Sequence, residues 1–444
     1  MSTKPSIYAK MDILSASGKV ADFRLAVATV DFYEDVLVPS YSAKIKIMNA
    51  GGGVIDEQGK SVTLYDGLKI RGGERVDLII KSNSSTNEDL RLVERPLYVR
   101  SIKSLVREND KEVFVLHLTS RAAVENEVRF LTKSYSKEAS ISDHVKAIIT
   151  NNFEGERDPD VDATGNKYGF LGNQKKPFEV LTRLASKAVY GKIGNGSSSA
   201  GFFFYQTRDG FKFKAIDSLV NSEPKANYFY TDVNKSSVDF EPQGEFRSLD
   251  QKITSFNIIE NQDVVNSLKK GTYSTERRYF DPITFDVTDK TNNSFTGDQY
   301  IKKFPTLGDP FKREELRLSD SSFSFTDVPS QIITETRNYG TVTPEVEVEE
   351  TLSIEKILSQ RKVRYNTLFI QRLKVMVPLN TNLRAGDTIK LNFPKISTEK
   401  SQQYDRGQLT GIYMVRQLCH HYDPMASYTI MEVVRDTFGR KSSS

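Results

Sequence analysis

From Ser42 to Ile47 the chain reads Ser-Ala-Lys-Ile-Lys-Ile, alternating polar and apolar residues with the period of two that a half-buried strand requires. Asn49 and the Gly51–Gly53 run end that pattern as a turn between strands. Aromatic and β-branched residues predict further strands over Phe23–Tyr33, Arg75–Ile80, Leu97–Leu105 and Val113–Leu118, with Ser82–Glu88 as a polar connector. Residues 1–120 therefore read as one β domain. The period then changes. Ile141, Val145, Ile148 and Ile149 form a helical stripe behind Ser140 and Asp143, a possible capping pair. A second helix opens at Pro177, whose missing N–H is not needed in the first turn, and carries Phe178, Leu181, Leu184, Ala185 and Ala188 on one face. Gly191–Gly201 is a Gly/Ser-rich loop. Phe202–Ile216 reads as a hairpin about Asp209-Gly210, a register that sets Arg208 against Phe211, Gln206 against Phe213 and Tyr205 against Lys214.

Beyond the hairpin, strands are predicted at Thr254–Ile259 and Gly271–Arg277. Residues 287–345 are polar and broken by Pro305, Pro310 and Pro329, and read as an irregular excursion. Glu345–Glu350 fits a charged edge strand that resists unwanted pairing better than an acidic strand awaiting a basic partner. A helix is predicted at about Leu352–Asn366, with Arg361, Lys362 and Arg364 near its end complementing the helix dipole. Residues 368–436 form a last β region, followed by the tail Lys441–Ser444.

That last region repeats the first. Gly73-Glu74-Arg75-Val76-Asp77-Leu78 is matched by Gly386-Asp387-Thr388-Ile389-Lys390-Leu391. The two apolar runs Leu97–Ile102 and Val113–Leu118, joined by a polar turn at Glu108–Lys111, are matched by the runs flanking the turn within Gly411–Asp436. The copies are unequal: 25 residues separate Gly73 from Tyr98 and 27 separate Gly386 from Tyr413, with a longer polar loop at Asn392–Arg406. Two similar barrels in one chain are expected, and such a chain can build a ring with twice its own symmetry.

Composition narrows the class. A chain of 444 residues has room for two to four domains, and no apolar run is long enough to span a bilayer. No basic segment followed by an apolar stretch opens the chain, so no secretory signal is expected. One cysteine, Cys419, excludes an internal disulfide and suits a reducing compartment. A net charge of +4 gives no argument for nucleic-acid binding. Candidate chemistry is sparse. Cys419, His420 and His421 adjoin, but neighbours on a strand face opposite ways, so at most Cys419 and His421 share a side. The other histidines, His117 and His144, add no ligand spacing. The carboxylate pairs Glu34-Asp35, Glu349-Glu350 and Asp423 with Glu432 are read as solvated surface charge. No residue is assigned a catalytic, cofactor-binding or metal-binding role, no cofactor is expected, and the chain is read as a non-enzyme.

Ala385-Gly386-Asp387, Asn392–Ser397, Gly411–Val415, Leu418–Asp423, Tyr428-Thr429 and Arg435–Gly439 together resemble the baseplate hub proteins of contractile-tailed phages, especially those of cyanobacterial and other marine myophages. Pro177–Leu184 and Tyr205–Leu219 are similar to that family as well. The resemblance implies a mainly β fold with α+β insertions: two duplicated tube-type barrels per chain and a peripheral helical and hairpin domain. The corresponding division is a first barrel at 1–120, an α+β peripheral domain at 121–247, a second barrel at 248–290 plus 367–440, and an irregular insertion ending in a helix at 291–366. It further implies a homotrimeric structural subunit in the virion tail baseplate, assembled in the host cytoplasm. Its pseudo-six-fold ring would adapt a hexameric tail tube to a trimeric spike. Implied partners are the tail spike protein and the tail tube protein, with tape-measure and baseplate wedge proteins as further candidates, and DNA passes through the channel without specific binding. Two alternatives predict other features. A spike-like or effector-carrying part of a contractile secretion system predicts Gly-containing β-helical repeats after the barrel, and none precedes Ser444. A cell-wall hydrolase predicts a compact acid or His/Cys site.

Overall fold

The computed structural model describes residues 4–49, 54–55, 60–82, 87–108, 111–191, 199–230, 249–280, 284–287, 294–296, 304–309, 313–336, 354–394 and 408–437. The Gly51–Gly53 turn, most of the Gly/Ser loop, Glu345–Glu350, most of the Asn392–Arg406 loop and the Lys441–Ser444 tail lie outside these residues.

Elements follow in chain order. First come β1 (Ser6–Leu14), β2 (Val20–Asp22), β3 (Val27–Asp35), β4 (Ser42–Asn49), β5 (Val54–Ile55), β6 (Ser61–Val62), α1 (Leu64–Leu68), β7 (Arg75–Ser82), β8 (Leu90–Glu108) and β9 (Lys111–Ser120). Next are α2 (Arg121–Val128), β10 (Ser134–Tyr135), α3 (Ile141–Asn152), β11 (Asp160–Val161), β12 (Phe170–Leu171), α4 (Pro177–Ala185), β13 (Val189–Tyr190), β14 (Ser199–Ala200), β15 (Phe202–Thr207), β16 (Gly210–Ala215) and α5 (Ile216–Val220). The chain continues with β17 (Ala226–Tyr230), β18 (Lys252–Ile253), β19 (Ser255–Asn261), α6 (Val264–Lys270), β20 (Ser274–Phe280), β21 (Ser294–Thr296), β22 (Gln331–Thr336), α7 (Ile354–Leu368), β23 (Gln371–Pro378), β24 (Thr388–Asn392), β25 (Gly411–Tyr422) and β26 (Tyr428–Arg435).

The first barrel has strand order β2-β1-β7-β8-β9-β4-β3. Alternation along β4 sends Ala43, Ile45 and Ile47 inward, where they meet Met11, Phe32, Leu78, Phe114 and Leu116. Burying one such side chain contributes roughly 1.5–3 kcal/mol. In the second barrel β24, β25, β26, β23 and β19 pair in turn; β19 continues from β18, and β18 pairs with β17, which returns to β24. The circuit closes through the two residues of β18, so among the described residues β19 beyond it is paired on one side only, with β23. Leu373, Val375, Ile389, Leu391, Tyr413, Met431 and Val433 fill it. The class is therefore mainly β with two similar barrels, as the sequence predicts.

The duplication holds to single hydrogen bonds. Gly73 N–H donates to Val99 C=O at 2.7 Å, and Gly386 N–H to Val415 C=O at 2.8 Å. Val99 N–H returns a bond to Glu74 C=O, and Val415 N–H to Asp387 C=O. Each acid's carboxylate also accepts the amide three residues back, Arg71 for Glu74 and Arg384 for Asp387. Bulges fall at matching places, between Val99 and Ser101 and between Val415 and Gln417. One strand differs in direction: β1 is antiparallel to β7, whereas β17 is parallel to β24.

A third core collects Ile141, Val145, Ile148, Ile149, Leu181, Leu184, Phe204 and Phe213 beside the barrels. Ser140 caps α3 by accepting Asp143 N–H, and Pro177 occupies the first turn of α4, both as the sequence predicts. The hairpin forms in a different register. Thr207 faces Gly210, Gln206 faces Phe211 and Tyr205 faces Lys212, so the turn residues are Arg208 and Asp209 rather than Asp209-Gly210. Gly210 opens the returning strand at φ +131°, a conformation open to glycine, while contacts from both barrels hold Arg208 and Asp209 in the turn. The basic end of α7 also departs from expectation. Arg364 is fully buried and ion-paired with Asp217 instead of complementing the helix dipole from the surface. Within 287–345, β22 runs parallel to β20 in a separate small sheet.

Candidate functional site: the junction between the barrels

β25 belongs to both barrels. Its first half pairs with β24, its length pairs with β26, and Gln417–Tyr422 pairs antiparallel with Asp35–Val30 of β3. The second barrel's longest strand thus continues the first barrel's sheet. Tyr422 completes the apolar filling of the first barrel, and the Tyr8 hydroxyl donates to Tyr422 C=O at 3.0 Å.

Beneath this ladder lies a buried polar knot contributed by three regions. Glu34 of β3 is 1% exposed; its carboxylate accepts Arg208 N–H at 2.7 Å from the hairpin turn and Ala385 N–H at 3.0 Å from the second barrel. Arg384 donates to Asp209 at 2.7 Å, to Glu88 at 3.2 Å and to the Thr381 and Leu383 carbonyls. Arg208 pairs with Glu88, and Thr381 bonds Glu88 C=O. Three separate segments converge, so none can move without stranding a buried charge. Burial pushes the Glu34 carboxyl up to about 7, against the pull of Arg384 and the two amides. Burial, reinforced by Arg208 and Arg384, drives the His420 imidazole down to about 3, so it is neutral, and its Nδ1 is hydrogen-bonded to Thr429 Oγ1 at 3.0 Å.

The sequence candidates separate accordingly. Cys419 and His421 share one side of β25, both against Asp31, with His421 Nδ1 at 2.6 Å from its carboxylate. His420 points the other way, into the knot. Burial and Asp31 raise the Cys419 thiol to about 12, which disfavours the nucleophilic thiolate. Among the described residues no group of three or more His, Cys, Asp or Glu is arranged to hold a metal ion. His144 is a core residue bonded to the Ser136 and Tyr168 carbonyls, and His117 lies on β9 of the other barrel.

The carboxylates read as surface charge are mostly otherwise engaged. Glu34 is buried in the knot, Asp35 pairs with Arg416 at 3.1 Å, and Glu432 pairs with Arg416 and Arg372 at 2.9 Å each. Asp423 stands apart from Glu432, accepting Met425 N–H. Glu349-Glu350 lies outside the described residues. Sequence reasoning missed the knot, because only the fold brings Glu34 to Ala385, the neighbour of Arg384, across 351 positions. The one legible signal was the duplicated Gly-acid turn, which Arg384 immediately precedes.

No family model matches the chain. In sequence it is 20% identical over 385 residues to the "Probable baseplate hub protein gp334" of Vibrio phage KVP40, covering 85% of each chain. In structure it is similar to the tail protein from Neisseria meningitidis MC58, with TM-score 0.54, 10% identity and 97% of both chains covered. It is also similar to the 43 kDa tail protein of prophage MuSo2 from Shewanella oneidensis, with TM-score 0.52, 8% identity and 96% and 98% covered. The chain is thus a sequence relative of a phage baseplate hub protein over most of its length, and it has the fold of tail proteins.

Proposed function

We propose that the chain is a structural hub subunit of a contractile phage tail, residing in the virion baseplate. Three copies present six barrels as a ring that adapts a six-fold tail tube to a three-fold spike and encloses the channel for DNA. The observation that carries this reading is the in-chain junction: two copies of one barrel are joined side by side through a continuous sheet, the contact that a ring repeats. The whole-chain likeness to a baseplate hub protein supports it. The chemistry of the junction supports a structural role: Glu34, Arg208 and Arg384 tie three segments together, and burial holds the neighbouring Cys419 thiol protonated. The tube and spike proteins are the direct partners, with tape-measure and wedge proteins further out.

Light scattering behind size-exclusion chromatography, with and without the cognate spike, tests the reading. A mass of three 50.3 kDa chains, about 151 kDa, is expected for the hub component. A chain that stays monomeric with the spike present overturns it.

A further inference from the structure

The duplication assigns a partner to two strand edges that the chain leaves open. Val99 and Val415 are matched residues, since each exchanges the same bonds with its Gly-acid turn. From Val99 the ladder steps to Leu118, Ala43 and Phe32; from Val415 it steps to Val433, Leu373 and Ile258. β19 is therefore the second barrel's version of β3, and the stretch of β8 after Arg100 is the first barrel's version of Gln417–Tyr422. Inside the chain, those two kinds of edge are paired as β25 on β3. Their counterparts are not. Among the described residues Ser101–Val106 pairs only with β9, and Ser255–Asn261 only with β23.

We propose that these edges pair with each other between copies, β8 of one chain against β19 of the next. The proposal rests on the ring reading above and names the surface that closes the ring. Transferring the β25·β3 register sets Ile102 opposite Asn261, Lys103 opposite Glu260 and Val106 opposite Asn257. Each strand carries one residue more than its in-chain counterpart, at the bulges spanning Lys103/Val106 and Ile258/Glu260. The two additions fall opposite one another, so register is kept on both sides of the bulge, where Ser104 stands at φ +55° across from Ile259 and Leu105 faces Ile258. Surface chemistry agrees. Leu105, Val106, Ile258 and Ile259 are 41%, 59%, 43% and 42% exposed, so each edge carries exposed apolar residues at the meeting point, with Leu105 set against Ile258. Lys103 against Glu260, whose carboxylate also pairs with Arg372 at 3.3 Å within the chain, adds charge complementarity. An exposed apolar strand edge invites strand addition, and only a partner with the same geometry covers both.

The test is a cysteine pair across the junction, Lys103→Cys with Glu260→Cys in one full-length chain, oxidised alone and with the spike. Disulfide-linked species rising to three chains are expected for the double variant only, with each single variant and the wild type, which carries Cys419, as controls. In parallel, Lys103→Glu raises the half-assembly concentration by about fivefold, whereas Lys103→Arg leaves it unchanged. A three-chain mass with no cross-link and no response to charge reversal overturns these edges and leaves the hub reading standing. A chain monomeric with and without the spike overturns both.

Discussion

Gly73 and Gly386 are a matched pair made by the duplication, at φ +90° and +91°, but their surroundings differ. A Cβ at Gly73 meets nothing within 4 Å, whereas one at Gly386 falls 2.3 Å from the Tyr205 hydroxyl and 3.1 Å from its ring carbon. Replacing either by alanine carries the same backbone penalty, about 1–2 kcal/mol for an L residue at positive φ. Only Gly386→Ala adds overpacking, since Tyr205 is buried and cannot swing clear; that costs about 1–3 kcal/mol more. Expected losses are therefore about 1–2 kcal/mol for Gly73→Ala and 2–5 for Gly386→Ala. Denaturant unfolding followed by far-UV circular dichroism, with each variant compared to wild type, reads the difference. Tyr205→Phe should rescue part of the Gly386→Ala loss and none of the Gly73→Ala loss. Equal costs for the two alanines, or no rescue, would refute the steric argument.

Other consequences are testable alongside. Because the folded Glu34 carboxyl sits at about 7, above its usual 4.5, its contribution to stability is complete below pH 4.5 and is lost as pH rises through 7. The loss is about 3 kcal/mol, and Glu34→Gln should abolish that part of the pH slope; parallel melting-temperature profiles for variant and wild type would contradict it. Arg364→Met strands the buried Asp217 carboxylate and should cost about 3–5 kcal/mol, partly recovered by adding Asp217→Asn, as measured by thermal unfolding. With its thiol at about 12, Cys419 should react with iodoacetamide at pH 8 on the order of a thousandfold slower in the native chain than in denaturant; comparable rates would show the thiol is not held protonated.

Local periodicity made much of this molecule legible. The inward residues of β4, the Ser140 cap, the Pro177 start and the repeated Gly-acid turns all follow from short-range rules, and the structure places them accordingly. What escaped is non-local. The hairpin turn sits one residue earlier than the Asp-Gly rule predicts because Glu34 and Arg384 grip Arg208 and Asp209 from both barrels. Arg364 reads as a solvent-facing helix residue until α5 supplies Asp217. β17 is a five-residue strand whose two neighbours are both parallel and distant in sequence, so no hairpin signal announces it. Glu34 has no local mark of burial; its two amide donors come from positions 208 and 385.

Because β25 carries strand partners from both barrels and the Glu34–Arg384 knot pins them beneath, the angle between neighbouring barrels is fixed when the chain folds, before any second copy arrives. Half of the contacts in any closed circle of such chains are therefore decided intramolecularly and at no concentration cost. Parity follows as well: barrels enter only in pairs, so a five- or seven-membered miscount is excluded by covalent connection, and assembly has only to distinguish two, three or four chains.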